Sequence, residues 1–310
     1  MRSRRPLGRR GFTLTELITS LALLGVIGLA FVRLVVSQAR FTEGQMALRN
    51  ARTVSRNAMN IMLTDIRMVQ DNGGLYLASR DSVSLRVPVA FGLLCVSSGA
   101  SATMQILPVD SALTAMGHFA GWAFRDSVSG LFKYEDNNNN SVVPFNSIPA
   151  GTTTICTDST VVLGVQRPGI LPMSYTAGTT VRSSKVIQVH GHLSVGQPNA
   201  GWPIFLYQHI VYRFQPSTAY PGRIGLFRKV RVSTNDWILD EIIAPFDSSA
   251  KFRFYVENSD VAQAAVPVDL NTVRGLELVL AGSSPRAQQG KKSAEQALVT
   301  GVFFKNRRDP

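Results

Sequence analysis

The sequence predicts an α+β fold in which one long N-terminal helix packs on a largely antiparallel, β-rich globular domain. Three observations predict this fold. Residues 14–36 are apolar apart from two charges, no proline occurs between Gly11 and Asp71, and short alternating runs fill the chain after Gly74. The composition, 45% apolar and 17% charged over 310 residues, is typical of a folded protein and excludes global disorder.

The first half of the helix has the length and composition of a membrane span. Residues 14–36 would extend about 34 Å as a helix, which is enough to cross a bilayer. Glu16 lies at the start of this segment and Arg33 near its end, where a long side chain reaches the interface. Five arginines precede the segment and predict a single-pass topology with the N-terminus in the cytoplasm: Arg2, Arg4, Arg5, Arg9 and Arg10.

The helix is predicted to continue past the span as an amphipathic helix that packs on the domain. The run Asp71-Asn72-Gly73-Gly74 is a typical helix stop. We therefore expect one helix of up to about 59 residues, from Phe12 to Gln70, with Gly44 as a point of weakness. Apolar residues recur every three or four positions along its second half: Ala47, Ala51, Val54, Ala58, Ile61, Met62 and Val69.

Short runs after the helix alternate between apolar and polar residues, which predicts β-strands. In the first run, Val83, Leu85, Val87 and Val89 fall on one face. The predicted strands cover residues 82–89, 104–109, 117–124, 160–165, 186–195, 204–214, 225–232, 237–243, 252–256, 273–281 and 297–305. No strong linker separates them, so one elaborate domain is expected rather than two.

The most informative motif, Gly11-Phe12-Thr13-Leu14-Thr15-Glu16, joins the basic leader to the apolar helix. An acid inside a membrane-compatible helix is costly and needs a reason. A secretory signal peptide would have a shorter apolar core that ends in small residues, and a plain signal anchor would explain neither Gly11-Phe12 nor Glu16. A helix N-terminal acid stabilised by the macrodipole remains an alternative for Glu16 alone.

The motif resembles the G-F-x-x-x-E signature of the type IV pilin and pseudopilin family, position for position. The resemblance implies cleavage after Gly11 by a prepilin peptidase and N-methylation of the new N-terminus at Phe12. It also implies that the new amine pairs with Glu16, on the same chain or a neighbour, which would neutralise the buried carboxylate. The chain then divides into a removed leader (1–11), a transmembrane or fibre-core helix (12–36), its amphipathic continuation (37–71) and a periplasmic or extracellular domain (72–310).

Later segments are similar, in order, to those of large minor pilins of PilW type and of J-type secretion pseudopilins. The segments are Asp65-Ile66-Arg67, Val211-Tyr212-Arg213-Phe214, Gly225-Leu226-Phe227-Arg228, 273–278 and 303–307. The resemblance implies a subunit of a type IV pilus or of a type II secretion pseudopilus, and the large domain favours a place near the tip. Its implied partners are other pilin subunits, the prepilin peptidase and the inner-membrane assembly platform. The implied location is the inner membrane, followed by a periplasmic pseudopilus or an extracellular pilus.

The two cysteines, Cys95 and Cys156, are candidates for a disulfide if the domain is exported to an oxidising compartment. Such a bond would close a loop of about 60 residues and stabilise the fold by roughly 4 kcal/mol in the chain-entropy view. Two separate buried thiols are the alternative.

Metal and catalytic motifs offer little support for other functions. Asp136, Asn138 and Asn140 alternate like calcium ligands, but Ser141 and Ser147 occupy the positions where a helix-loop-helix calcium site needs Gly and Glu, so a solvated hairpin tip is the alternative. The pair His190 and His192 could form half of a zinc site only with distant histidines such as His118 and His209. No known catalytic motif appears, so we expect neither an enzyme nor a required cofactor.

A basic cluster at residues 223–231 raises a second function. Removing the five leader arginines lowers the formal charge of +12 to about +7. A positive charge of this size allows contact with nucleic acid but does not by itself indicate nucleic acid as the partner. Arg223, Arg228, Lys229 and Arg231 could contribute to a DNA-binding or adhesive surface on an anchored protein. The alternative is an ordinary strand with one solvated face.

Overall fold

A computed structural model gives the architecture, and it describes the chain in twelve segments. The described residues are 13–98, 101–107, 109–110, 119–126, 129–136, 174–177, 180–183, 185–190, 201–232, 236–257, 259–287 and 293–304. They form one long helix followed by strands that pair antiparallel throughout, which confirms the predicted α+β class.

The helix α1 spans Leu14–Ile66 and continues without interruption through Gly44. It ends four residues before the predicted Gln70. The amides of Met68 and Val69 bond to carbonyls three residues earlier, so the last turn tightens and the α-helical ladder stops. Asn72 and Gly73 then take positive φ angles of 55° and 84°, which turn the chain toward the sheet.

Fourteen strands lie within the described segments. They are β1 (Leu75–Ala78), β2 (Ser82–Ser98), β3 (Ser101–Ile106), β4 (Gly121–Arg125), β5 (Phe132–Asp136), β6 (Ser174–Ala177), β7 (Thr180–Ser183), β8 (Lys185–His190), β9 (Pro203–Pro216), β10 (Ile224–Arg231), β11 (Trp237–Phe246), β12 (Lys251–Val256), β13 (Val273–Ala287) and β14 (Ser293–Phe303). A short 3-10 helix, Leu270–Thr272, leads into β13.

Twelve of these strands form one sheet whose main path runs β12-β13-β11-β10-β9-β2-β3-β8, while β6 and β7 pair separately. The long strands β2 and β9 are paired along most of their length and form its centre. β1 adds to β2, β4 adds to β9 and carries β5, and β14 adds to β13 along almost the whole of both strands. Through these pairings, all twelve strands are connected by hydrogen bonds to the strands that pack on the helix.

The main core lies between the sheet and the second half of α1. It includes Met62 and Ile66 of the helix, Tyr212 and Phe214 of β9, and Leu278 of β13, all of them buried. A second core around Trp122 and Phe124 lies at the other end of β2 and β9, away from the helix. The helix therefore packs on only one part of the sheet, and the central strands β2 and β9 connect that part to the second core.

Most predicted strands are present, with shifted ends. β2 is longer than predicted because its second half pairs with β3 rather than ending at Val89. β1, β5, β6 and β7 were not predicted, since each has only four or five residues and lies beside a turn-rich stretch. The predicted strand at 160–165 lies outside the described residues.

Candidate functional site

The helix N-terminus carries the motif that the sequence singles out. Gly11 and Phe12 lie outside the described residues, and description begins at Thr13, the N-cap of α1. The Thr13 hydroxyl accepts from the backbone N–H of Glu16 at 3.4 Å, and the Glu16 carboxylate accepts from the backbone N–H of Thr13 at 3.0 Å. This reciprocal pair of hydrogen bonds is a capping box. It joins the Glu16 carboxylate to the backbone of Thr13, the residue that follows Phe12 in the sequence.

The apolar face beyond Glu16 has no partner within the described part of the chain. Side chains throughout the first half of α1 are exposed, from Leu14 at 77% to Val36 at 42%. This is the one helix in the described residues with the length and composition to cross a membrane, and it lies near the N-terminus. Apolar surface on this scale requires a lipid or protein environment.

The second half of α1 is attached to the sheet by small residues that permit close approach. Its buried side chains are Ala47, Ala51, Ser55, Ala58, Met62 and Ile66, which recur at helical spacing. Ser55 donates from its hydroxyl to the Leu280 carbonyl at 3.0 Å and accepts from the Gly282 amide at 3.0 Å. Ser55 thereby satisfies backbone groups of β13 that the helix removes from water.

A buried polar cluster fixes the end of the helix. Tyr212 donates from its hydroxyl to Asp65 at 2.7 Å, and Arg228 donates to the same carboxylate oxygen at 3.1 Å. Burial, followed by the nearby Asp65 carboxylate, raises the pKa of the Tyr212 phenol well above its ordinary value. The cluster therefore joins α1 to β9 and β10 through one half-buried ion pair and one neutral tyrosine.

The four basic candidates do not share one surface. Arg228 points toward the helix, where it pairs with Asp65. Arg223 donates to the Ser293 hydroxyl of β14. Lys229 and Arg231 alternate with Arg228 and so lie on the face away from the helix, where the Lys229 ammonium sits 4.5 Å above the Trp237 ring.

The metal candidates are only partly described. Glu135 and Asp136 belong to strand β5, whereas Asn138 and Asn140 lie outside the described residues. His209 is buried and hydrogen-bonds Ser84 at 2.6 Å, while His118 and His192 fall in undescribed segments. Among the residues that the structure describes, no group of three or more His, Cys, Asp or Glu side chains comes together.

Cys95 is buried near the C-terminal end of β2 and is disulfide-bonded. The other cysteine of the chain, Cys156, lies outside the described residues. The pairing of these two residues stays a prediction.

Three residues that hold the helix against the sheet were not predicted from the sequence. Ser55 is polar and does not fit an apolar periodicity, although it lies four residues after Ala51 and three before Ala58, on the same face. Gly282 and Tyr212 lie far from the helix in sequence, so no local pattern connects them to it. The predicted core position Ile61 is wrong, because its side chain is 38% exposed and sits beside the stripe rather than in it.

Comparison of the chain with protein-family models, with curated proteins and with solved structures finds no match.

Proposed function

We propose that this protein is a minor pilin or pseudopilin that is cleaved after Gly11 and assembled through its N-terminal helix. The assembly is a type IV pilus or a type II secretion pseudopilus, and the large β-rich domain favours a position near its tip. The observation that carries the proposal is the motif from Gly11 to Glu16 directly before an exposed apolar helix. That helix continues unbroken into a half that is seated on a sheet.

The division of the helix into two halves supports assembly through the first half. The second half is committed to its own domain by Ala51, Ser55 and Asp65. The first half is exposed and apolar, so it is available to lipid before assembly and to neighbouring helices afterwards. One helix would thus serve as membrane anchor and as fibre core.

The capping box gives Glu16 a role in the uncleaved chain. Before cleavage, the carboxylate satisfies the Thr13 amide at the helix N-terminus. Cleavage after Gly11 would create an ammonium group on Phe12, next to this carboxylate, and a cation satisfies a carboxylate in apolar surroundings better than an amide does. The pair would form within one chain or with a neighbour offset by one helical turn.

The alternative of an anchored DNA-binding or adhesive protein finds less support. It needs the basic residues on one accessible face, but Arg228 is engaged with Asp65 beneath the sheet and Arg223 is directed to Ser293. Of the four candidates, only Lys229 and Arg231 lie on the outer face, where the exposed Arg213 of β9 joins them, and three cations make a small footprint for a polyanion.

The experiment that tests the proposal uses two variants in the cells that make the protein. Gly11→Ala should leave an uncleaved precursor of higher mass, whereas Glu16→Val should be cleaved normally but be depleted from isolated fibres. Immunoblots of membranes and of sheared fibres measure both effects. Normal processing of Gly11→Ala, or full incorporation of Glu16→Val, would contradict the proposal.

A further inference from the structure

The loop between β12 and β13 contains five consecutive apolar residues, of which four are exposed and Pro267 is half-buried. These residues, Ala264, Ala265, Val266, Pro267 and Val268, are named here the valine crest. Val268 is fully exposed, Val266 is 39% exposed, and both alanines are exposed as well. Single exposed apolar side chains are normal on a protein surface, but three exposed apolar residues in a row, followed after Pro267 by the fully exposed Val268, are typical of a surface that another molecule covers.

The base of this loop is fixed by hydrogen bonds, so the crest is preformed. Phe254 of β12 and Gln263 exchange two backbone hydrogen bonds of 2.9 Å each. Arg253 donates to the Ala262 carbonyl and pairs with Glu277 at 2.7 Å. Arg274 donates to the Ser259 carbonyl at 2.5 Å. A loop held in this way loses little conformational freedom when a partner binds.

The crest lies at the end of the domain where the long helix stops. The 3-10 helix Leu270–Thr272 follows the crest directly and packs against β1, the first strand after α1. Leu77 of β1, the strand that this 3-10 helix contacts, is itself 61% exposed. The crest is therefore remote from the exposed apolar half of α1 by most of the length of the helix.

The charges around the crest decide which partner fits it. The loop from residue 257 to 272 contains no Lys, Arg or aromatic residue. It carries three exposed acids, Glu257, Asp260 and Asp269. Asp260 pairs with Arg274 at 2.5 Å, and the other nearby cation, Arg253, pairs with Glu277. Glu257 and Asp269 form no ion pair within the described part of the chain, so they give the loop its net negative charge. Membrane-inserting loops rely on aromatic and basic residues at the interface, so an anionic lipid surface is disfavoured here.

We propose that the valine crest docks in an apolar groove of a partner protein whose rim is basic. The valines and alanines would supply the buried contact, and Glu257 and Asp269 would face the basic rim and set the orientation. The valine crest is separate from the helix through which the proposed fibre assembles. A variant that loses docking should therefore still assemble, and a variant that loses assembly should still dock.

The test places a photoreactive amino acid at Ala265 of the full chain, in the cells that make the protein, and analyses the adducts after irradiation. We expect one discrete protein adduct. The double variant Val266→Asp/Val268→Asp should lower its yield by about tenfold or more, because apolar burial supplies most of the binding. The control, Val299→Asp, changes a valine on β14 that is 54% exposed, between Val266 and Val268, and should leave the yield unchanged.

A second pair of variants tests the charge of the rim. Glu257→Lys should lower the yield of the same adduct several-fold, while Asp240→Lys, at an exposed acid on β11, should not. Thermal melting of each variant establishes that the domain stays folded, as expected for exposed positions. Adducts with phospholipid, adducts that persist in the double variant, or no adduct at all would each overturn the proposal.

Discussion

The α1 backbone at Ala51 passes so close to Gly282 of β13 that no side chain fits between them. A Cβ on Gly282 would overlap the Ala51 carbonyl oxygen and lie 2.5 Å from the Ser55 hydroxyl. Two of the obstructing atoms belong to the helix backbone and cannot rotate away. This contact sets the distance between helix and sheet. The small side chains of Ala47, Ala51 and Ser55 allow the helix to come this close.

Gly282→Ala should displace the helix from the sheet. We expect a loss of about 1–3 kcal/mol in the free energy of unfolding, as for other overpacked core positions. Denaturation of the full chain in neutral detergent, followed by circular dichroism, measures the loss. Gly28→Ala is the matched control, since a Cβ there meets nothing within 4 Å. Equal stability of the two variants would show that the close contact is not structurally important.

Removing Asp65 should destabilise the junction between helix and sheet. Asp65→Ala leaves the Arg228 guanidinium without its carboxylate and the Tyr212 hydroxyl without an acceptor, so we expect a cost of about 1–3 kcal/mol. A double-mutant cycle with Arg228→Met isolates the coupling between the two residues.

The ion pair of Asp260 with Arg274, in which the Asp260 side chain is 98% exposed, offers a surface comparison for that cycle. Its coupling should be at most about 1 kcal/mol and should fall with added salt. A coupling of Asp65 with Arg228 that is no larger than this surface value would contradict the structural role assigned to the cluster.

Stability should fall at high pH because of Tyr212. Its pKa is raised in the folded state by burial and by Asp65, whereas in the unfolded chain the phenol ionises near its ordinary value of about 10. The stabilisation is therefore fully present below pH 10 and is lost as the pH rises, because the unfolded state gives up a proton that the folded state keeps. The slope from one such group approaches about 1.4 kcal/mol per pH unit.

Urea denaturation between pH 9 and pH 12 measures this slope. Tyr212→Phe should flatten it while leaving some decline, since burial also raises the pKa of Tyr134. Identical slopes for the two proteins would mean that Tyr212 ionises in the folded state.

Periodicity predicted the helix, most strands and the apolar seam, because each of these is a local repeat along the chain. Ala47, Ala51 and Ala58 were predicted to face the domain, and they do so. Short elements carry too few repeats to be recognised, which is why β1 and β5 were missed.

The contacts that seat the helix could not be predicted, because they join residues more than 140 positions apart. Asp65 was noted from sequence, but its partners Tyr212 and Arg228 are chosen by the pairing of β9 with β10. An ordinary strand with one solvated face was the alternative for these basic residues, yet the helix covers the face that carries Arg228 and Val230. The contact with the helix therefore overturns what the strand pattern alone indicates for Arg228.

We propose that cleavage after Gly11 creates the N-terminus through which the subunit assembles. Mass spectrometry of the N-terminal peptide from membrane-extracted protein tests this proposal most directly. We expect Phe12 to be the first residue and its α-amino group to carry a methyl group. An N-terminus that retains the leader, or one that begins beyond the apolar helix, would contradict it.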